Sequence, residues 1–256
     1  MAQAIESLKK TLKWRKENNV DIYSHIFTSD DTNEYGELQS VVSFENSTGK
    51  IYVRGYDMDG RATVWFHPAN ENSTNGSHNL IHLLYNLERA VACTRRRSLG
   101  TVDKINFVIV FNGYSVSNAP TMTVTRETLS AVQNHYPERL HRAYLINPPI
   151  MFNVLWNLAK PFIDSVTRKK ILFISGKKVI KKLRDDYDVR CLEKCVGGED
   201  SRDFDSDQYT AAPFHTAFGE MGKVKGRQAL DDDMFFDSLS RHSASVHSLG
   251  SSHRLL

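Results

Sequence analysis

Tyr136-Pro137-Glu138-Arg139, then Ala143-Tyr144-Leu145-Ile146, then Asn147-Pro148-Pro149 open the stretch that decides the fold. An apolar segment follows over residues 151–163, then Asp164-Ser165-Val166-Thr167-Arg168-Lys169-Lys170. A second apolar run at residues 171–174 closes at Gly176. Two short apolar runs bounded by turn residues predict buried strands, and the segment between them has the length of a helix. Strand, helix, strand is a βαβ unit with a right-handed crossover.

The helix between those strands is unusual. Its polar residues Asn153, Asn157, Lys160 and Asp164 fall on one narrow stripe. Met151, Phe152, Val154, Leu155, Trp156, Leu158, Phe162 and Ile163 occupy most of the rest. A surface helix hides about a third of its circumference, and this one must hide more. Two readings fit: a helix packed by protein on two sides, or one whose second face lines a hydrophobic cavity or meets a membrane. Pro161 has no N–H to donate, which predicts a kink or restart near Lys160.

The motifs Tyr-Pro-Glu-Arg at 136–139, Asn-Pro-Pro at 147–149 and Lys-Pro-Phe-Ile-Asp-Ser-Val-Thr-Arg-Lys-Lys at 160–170 resemble the CRAL-TRIO lipid-binding family. The closest likeness is to its phosphatidylinositol-transfer branch. It extends back through Asp57-Met58-Asp59-Gly60-Arg61 and Leu87-Glu88-Arg89-Ala90 and forward to Gly197-Gly198, covering residues 34–200. The resemblance implies a mixed α/β fold: a largely parallel sheet flanked by helices, with a hydrophobic lipid pocket. It implies that Glu138, Thr167 and Lys170, with Arg139 as a weaker member, bind an inositol phosphate headgroup. Phe107, Ile109, Phe111, Met151, Phe152, Leu155, Trp156 and Phe162 are the expected pocket and gate.

The residue types suit that role. A lysine ammonium meets a phosphodiester, a threonine hydroxyl donates to it, and a carboxylate accepts from inositol hydroxyls. By charge pattern alone the same residues read as solvated charges at strand starts. Arg139 also fits a structural salt bridge. The chain departs from the family in two places. Val110 stands where members commonly carry an acidic residue. Ile105 and Phe107 stand where holders of phosphatidylcholine place hydroxyls, which counts against that lipid.

The remaining chain suits one domain with appendages. Its 256 residues are 40% hydrophobic and 25% charged, an ordinary globular composition. A net charge of +3 does not point to nucleic acid and leaves weak attraction to anionic membranes open. Cys93, Cys191 and Cys195 form no disulfide framework and suit a reducing compartment. Residues 1–19 lack the apolar core of a signal peptide. Residues 1–33 read as a basic amphipathic helix and linker, with Ile5, Leu8, Leu12 and Trp14 on one side. In the resembling family this helix ends a small helical subdomain that lends the headgroup site an arginine. By the resemblance residues 34–200 are the lipid-binding domain, with an antiparallel hairpin around Asp57-Met58-Asp59-Gly60 and a sheet of about five strands, helices expected on one face and the lipid cavity on the other. Residues 201–256 read as a disordered tail.

No catalytic constellation stands out. His78 and His82 have helical metal-ligand spacing but no further ligand, and Ser115 lacks the glycines of a nucleophile elbow. The expected function is a carrier rather than an enzyme, with a phospholipid ligand, phosphatidylinositol, in place of a cofactor. Expected partners are a transient membrane surface and a lipid kinase, for a monomeric, cytoplasmic and peripherally membrane-associated protein. The alternatives are a carrier of a sterol or other isoprenoid-type ligand, or an interaction adaptor without lipid.

Overall fold

Runs rich in β-branched and aromatic residues, each cut short by glycine, proline or asparagine, lay down the strands. A computed structural model describes residues 2–28, 32–115 and 119–219. The elements run α1 (Ala2–Glu17), α2 (Thr32–Asn46), β1 (Ile51–Tyr56), β2 (Ala62–Phe66), α3 (Gly76–Ser98), β3 (Ile105–Val110) and α4 (Met122–His135). They continue β4 (Leu140–Ile146), α5 (Phe152–Ala159), α6 (Ser165–Lys169), β5 (Ile171–Ile174), α7 (Lys178–Leu183) and α8 (Ser206–Ala211). The sheet order is β1-β2-β3-β4-β5. The β1–β2 hairpin is antiparallel and the other pairings are parallel, the predicted mixed α/β arrangement.

Each strand from β2 to β5 is laid beside its predecessor in the same direction. The right-handed crossover rule therefore sends α3, α4 and α5–α6 to one face. That is also the face where the cavity lies, because Phe107, Ile109, Ala143, Leu145 and Ile171 line it together with side chains of α4 and α5. The expected layering, with helices on one face and the lipid cavity on the other, is therefore corrected: the cavity lies between the sheet and its crossover helices. The opposite face carries Thr63, Trp65, Asn106, Val108, Tyr144 and Ile146, all buried. The chain after β5 covers it: Tyr187 hydrogen-bonds Thr63 at 2.9 Å and packs edge-on against Tyr144, while Val179 and Leu183 of α7 are buried. A parallel sheet needs both faces covered, and the segment after the last strand supplies the second cover.

The domain extends past residue 200, which corrects the expected start of the tail. Tyr209 of α8 is fully buried and its hydroxyl accepts from the Val53 N–H and donates to Asn86. The Phe218 N–H donates to Val53 O, so this segment occupies part of the free edge of β1. Apolar residues here are sparse, but Phe204, Tyr209 and Phe218 pack ring against ring, Phe204 stacks on Tyr52 and Phe218 meets Tyr52 edge-on. Composition averaged over a window hides such isolated anchors. The Ser/His-rich stretch and Met234-Phe235-Phe236 lie outside the described residues.

Helix α1 docks on the domain. Trp14 stacks on His135 with ring centres 4.1 Å apart, and Arg15 pairs with Glu88 at 2.8 Å. Ile5, Leu8 and Leu12, read above as lying with Trp14 on its apolar side, are exposed.

Gly197-Gly198 closes a turn that holds two buried carboxylates. Glu193 and Asp200 both reach Arg54 at 3.1 Å. A Cβ on Gly198 would sit 2.0 Å from the Leu192 carbonyl oxygen, a backbone atom that cannot step aside alone. Gly198→Ala is expected to destabilise the fold by about 3 kcal/mol. Calorimetry should then show the melting temperature falling by roughly 6–12 °C; an unchanged melt would mean that the turn relaxes freely.

Candidate functional site

Alternation along the strands builds the cavity floor. In the near-continuous run of β3, Phe107 and Ile109 point to the cavity and Asn106 and Val108 away from it. Ala143 and Leu145 of β4 and Ile171 of β5 continue the floor. Helix α4 supplies Met122, Thr125, Leu129 and Val132 as one wall. Helix α5 supplies Phe152, Leu155, Trp156 and Ala159 as the other. The space enclosed is about 460 Å³, within the range of small-molecule sites.

The gate helix has two faces of different use. Phe152 packs on Phe111 at 4.7 Å and on Phe173 at 6.2 Å, and Trp156 meets Phe173 edge-on at 5.1 Å. Leu155 also points inward. Ile150, 88% exposed, Val154, 61% exposed, and Met151 and Leu158 face solvent. Met151 precedes the first turn and Phe162 lies under the Arg126 guanidinium at 4.8 Å, so neither lines the cavity. The helix ends at Ala159, a 3-10 turn spans Lys160–Phe162, and α6 restarts after Asp164, as Pro161 predicted.

Asn147 sets where the gate begins. It lies in the left-handed region, φ +50°, which asparagine tolerates better than most residues. Its side chain donates to Asn112 after β3 and accepts from the Gly176 N–H after β5. Its own N–H donates to Ile174 O. The carboxyl ends of three strands are thereby tied at the residue that launches Pro148-Pro149 and α5.

At the amino ends of β4 and β5 the sheet brings three of the four expected headgroup residues to one rim. Thr167 lines the cavity, as do Leu140 and Ile171, the neighbours of the rim turn and of Lys170. Lys170 Nζ lies 3.4 Å from Glu138 Oε2. Glu138 is held at φ +58°, an uncommon conformation for a non-glycine residue, by the turn after Pro137. Asp164 caps α6 by accepting from the Val166 and Thr167 N–H groups. These bonds, with that of the Thr167 hydroxyl foremost, hold the Asp164 carboxyl below its ordinary pKa. Arg139 goes elsewhere: it pairs with the Asp103 carboxylate and carbonyl at 3.1 Å each, the structural bridge that its position allowed.

Two polar side chains that the sequence did not single out, Lys50 and Glu71, also line the cavity, next to Ile51, Phe66 and Pro68. Nothing in their local pattern marks them, since each stands alone in a turn-rich segment.

The comparisons agree with this architecture. A family model described as the CRAL/TRIO domain matches residues 46–198. The chain belongs to the CRAL/TRIO domain family. A CRAL-TRIO domain-containing protein of Schizosaccharomyces pombe is 32% identical over 68% of this chain and 15% of its own length. The phosphatidylinositol transfer protein PDR17 of Saccharomyces cerevisiae is 29% identical over 67% of this chain and 47% of its own. The chain thus spans less than half the length of these relatives. Among solved structures, that of Sfh5 aligns with a TM-score of 0.53 at 22% identity, over 72% of this chain and 63% of that one. In this CRAL/TRIO domain the matched residues contain the whole sheet and α3 to α7. No described helix is long and apolar enough to cross a membrane.

Proposed function

We propose that this CRAL/TRIO protein binds phosphatidylinositol with its acyl chains in the cavity and its headgroup at the Glu138–Thr167–Lys170 rim. It then moves the lipid between membranes or presents it to a lipid kinase. The observation that carries this reading is the pairing of an apolar cavity with a hydroxyl, an ammonium and a carboxylate at one end of it. Each buried CH2 contributes about 0.8 kcal/mol, so the cavity supplies affinity. The rim supplies selection, because a few convergent polar groups fix orientation.

The Glu138–Lys170 pair suits a site that opens. Glu138 is largely exposed, and an exposed ion pair of this kind is worth only about 0–1 kcal/mol. An inositol phosphate entering between them replaces one weak contact by several charge-assisted ones. The outer face of α5, with Ile150, Met151, Val154 and Leu158, offers acyl chains of a bilayer an apolar surface while the inner face holds the ligand. Such a surface supports the reading of a carrier that associates peripherally with membranes.

Mass spectrometry of lipids extracted from the purified protein tests the reading. Phosphatidylinositol enriched over its share of host lipids is the expected result. Recovery of another lipid alone, or of none after incubation with phosphatidylinositol vesicles, would refute it.

A further inference from the structure

Helix α1 grips the end of α4, beside the headgroup rim. The Thr11 hydroxyl donates to Asn134 O at 3.2 Å. Trp14 stacks on His135, the last residue of α4, and meets the Tyr136 ring edge-on at 6.5 Å. Arg15 makes a two-point contact with Glu88: Nη1 donates to Oε1 at 2.8 Å and Nη2 to Oε2 at 3.1 Å. The Tyr136 hydroxyl donates to the same Oε1 at 2.7 Å. Burial, and then the Glu88 charge, push the Tyr136 phenol above its ordinary range, so the hydroxyl keeps its proton. Three successive residues, Asn134, His135 and Tyr136, are thus held by α1 and by one carboxylate of α3.

That carboxylate is a fixed anchor. Glu88 stands between buried Leu87 and buried Arg89 in the 23-residue helix α3, which packs on β1 and β2.

The turn that follows Tyr136 is strained. The Arg139 N–H donates to Tyr136 O at 3.3 Å, closing a turn with Pro137 and Glu138 at its centre. Proline suits the first central place, and glycine or asparagine suits the second where φ is positive. Here the second is Glu138, at φ +58°. A side chain stays in that region only where its surroundings over-determine it. Both ends of this turn are fixed. Arg139 is held by Asp103 and by the Ile105 N–H, which donates to Arg139 O at 2.8 Å. Tyr136 is held by Glu88, and Glu88 by Arg15.

We infer that Arg15, Glu88 and Tyr136 are positioning residues for the headgroup rim: they hold the Tyr136-Pro137-Glu138-Arg139 turn in its strained form and so set the place of the Glu138 carboxylate beside Lys170. Glu138 is the rim group matched to inositol hydroxyls, so the clamp bears on the choice of inositol over other headgroups. Arg15 is engaged by Glu88 and Asp21 and acts through Tyr136; it is not itself a headgroup ligand. Helix α1 thereby contributes to selection, although it lies ahead of the residues, 46–198, that match the family. The inference rests on the rim being the headgroup site, as proposed above.

The test uses the full chain and Tyr136→Phe, which removes one hydroxyl and keeps the ring against Trp14. One readout needs no lipid: hydrogen exchange of the Arg139 amide, followed by NMR. Loss of a hydrogen bond to a charged group should loosen the turn and quicken this exchange about fivefold. The Phe111 amide, bonded to Ile146 O at the far ends of the strands, should not change. The other readout compares vesicles of phosphatidylinositol with vesicles of phosphatidic acid of the same chains, which carries a phosphate and no inositol. Affinity for phosphatidylinositol is expected to fall about fivefold, part of what one charge-assisted contact is worth, and that for phosphatidic acid to hold. In a Glu138→Ala background the same substitution should change neither. Arg15→Gln should repeat the pattern through Glu88, so either variant decides. An equal fall for both lipids would mean a purely structural role and overturn the inference. Unchanged phosphatidylinositol affinity, a further loss beside Glu138→Ala, or unchanged Arg139 exchange would overturn it as well. If the unaltered chain binds no phosphatidylinositol while Arg139 exchange quickens in the variant, the clamp on the turn stands and the proposed function fails.

Discussion

Phe152→Asp with Trp156→Asp is expected to abolish lipid loading while leaving a folded protein. Both rings line the cavity; Phe152 packs on Phe111 and Phe173, and Trp156 meets Phe173 edge-on. Removing each loses about 1.5–3 kcal/mol of apolar burial against the ligand. Two together correspond to a loss in affinity on the order of a hundredfold or more, before the cost of facing acyl chains with carboxylates. The fold should survive because no residue of α5 is buried in the core. Lipid per protein, measured after vesicle incubation, should fall to background with the circular dichroism spectrum retained. The outer face gives the contrast. Val154→Ser with Leu158→Ser should keep loading and slow exchange with vesicles, because these side chains face solvent. Loss of soluble protein in the Asp variant would show that α5 is needed for the core. Unchanged loading would show that the cavity is not the lipid site.

Glu138→Ala with Lys170→Ala is expected to cut phosphatidylinositol transfer between liposomes without moving the melting curve. One charge-assisted contact is worth about 1.5–3 kcal/mol, so each single substitution should weaken binding on the order of tenfold or more. Stability should hold because the two side chains pair weakly at the rim and Glu138 is largely exposed. Arg139→Ala should behave differently. It breaks the bridge to Asp103 between β4 and the loop before β3, and should lower stability slightly without a selective effect on transfer. Full transfer by the double variant would remove the rim as the headgroup site, leaving a carrier of a sterol or other isoprenoid-type ligand as the stronger reading.

Local pattern was enough to determine the order of elements. The runs at 143–146 and 171–174, the hairpin around Asp57, and the break at Pro161 all appear at the expected places. These are properties of neighbouring residues: turn chemistry, apolar runs and a missing N–H act over a few positions. The motifs also placed Glu138, Thr167 and Lys170 together, because residues at the amino ends of adjacent parallel strands must share a rim. Three things were left to the tertiary structure. The apolar run of β3 conceals which residues face the cavity, and only its partners separate Phe107 and Ile109 from Val108. The gate helix is apolar almost all round, so its inner and outer residues separate only once Phe111 and Phe173 are packed against it. Lys50, Glu45, Glu71 and Asn79, scattered over a strand entry, a helix, a loop and another helix, become one cluster only on folding. Contacts at such separations leave no periodic trace, because periodicity records the geometry of one element and not the meeting of several.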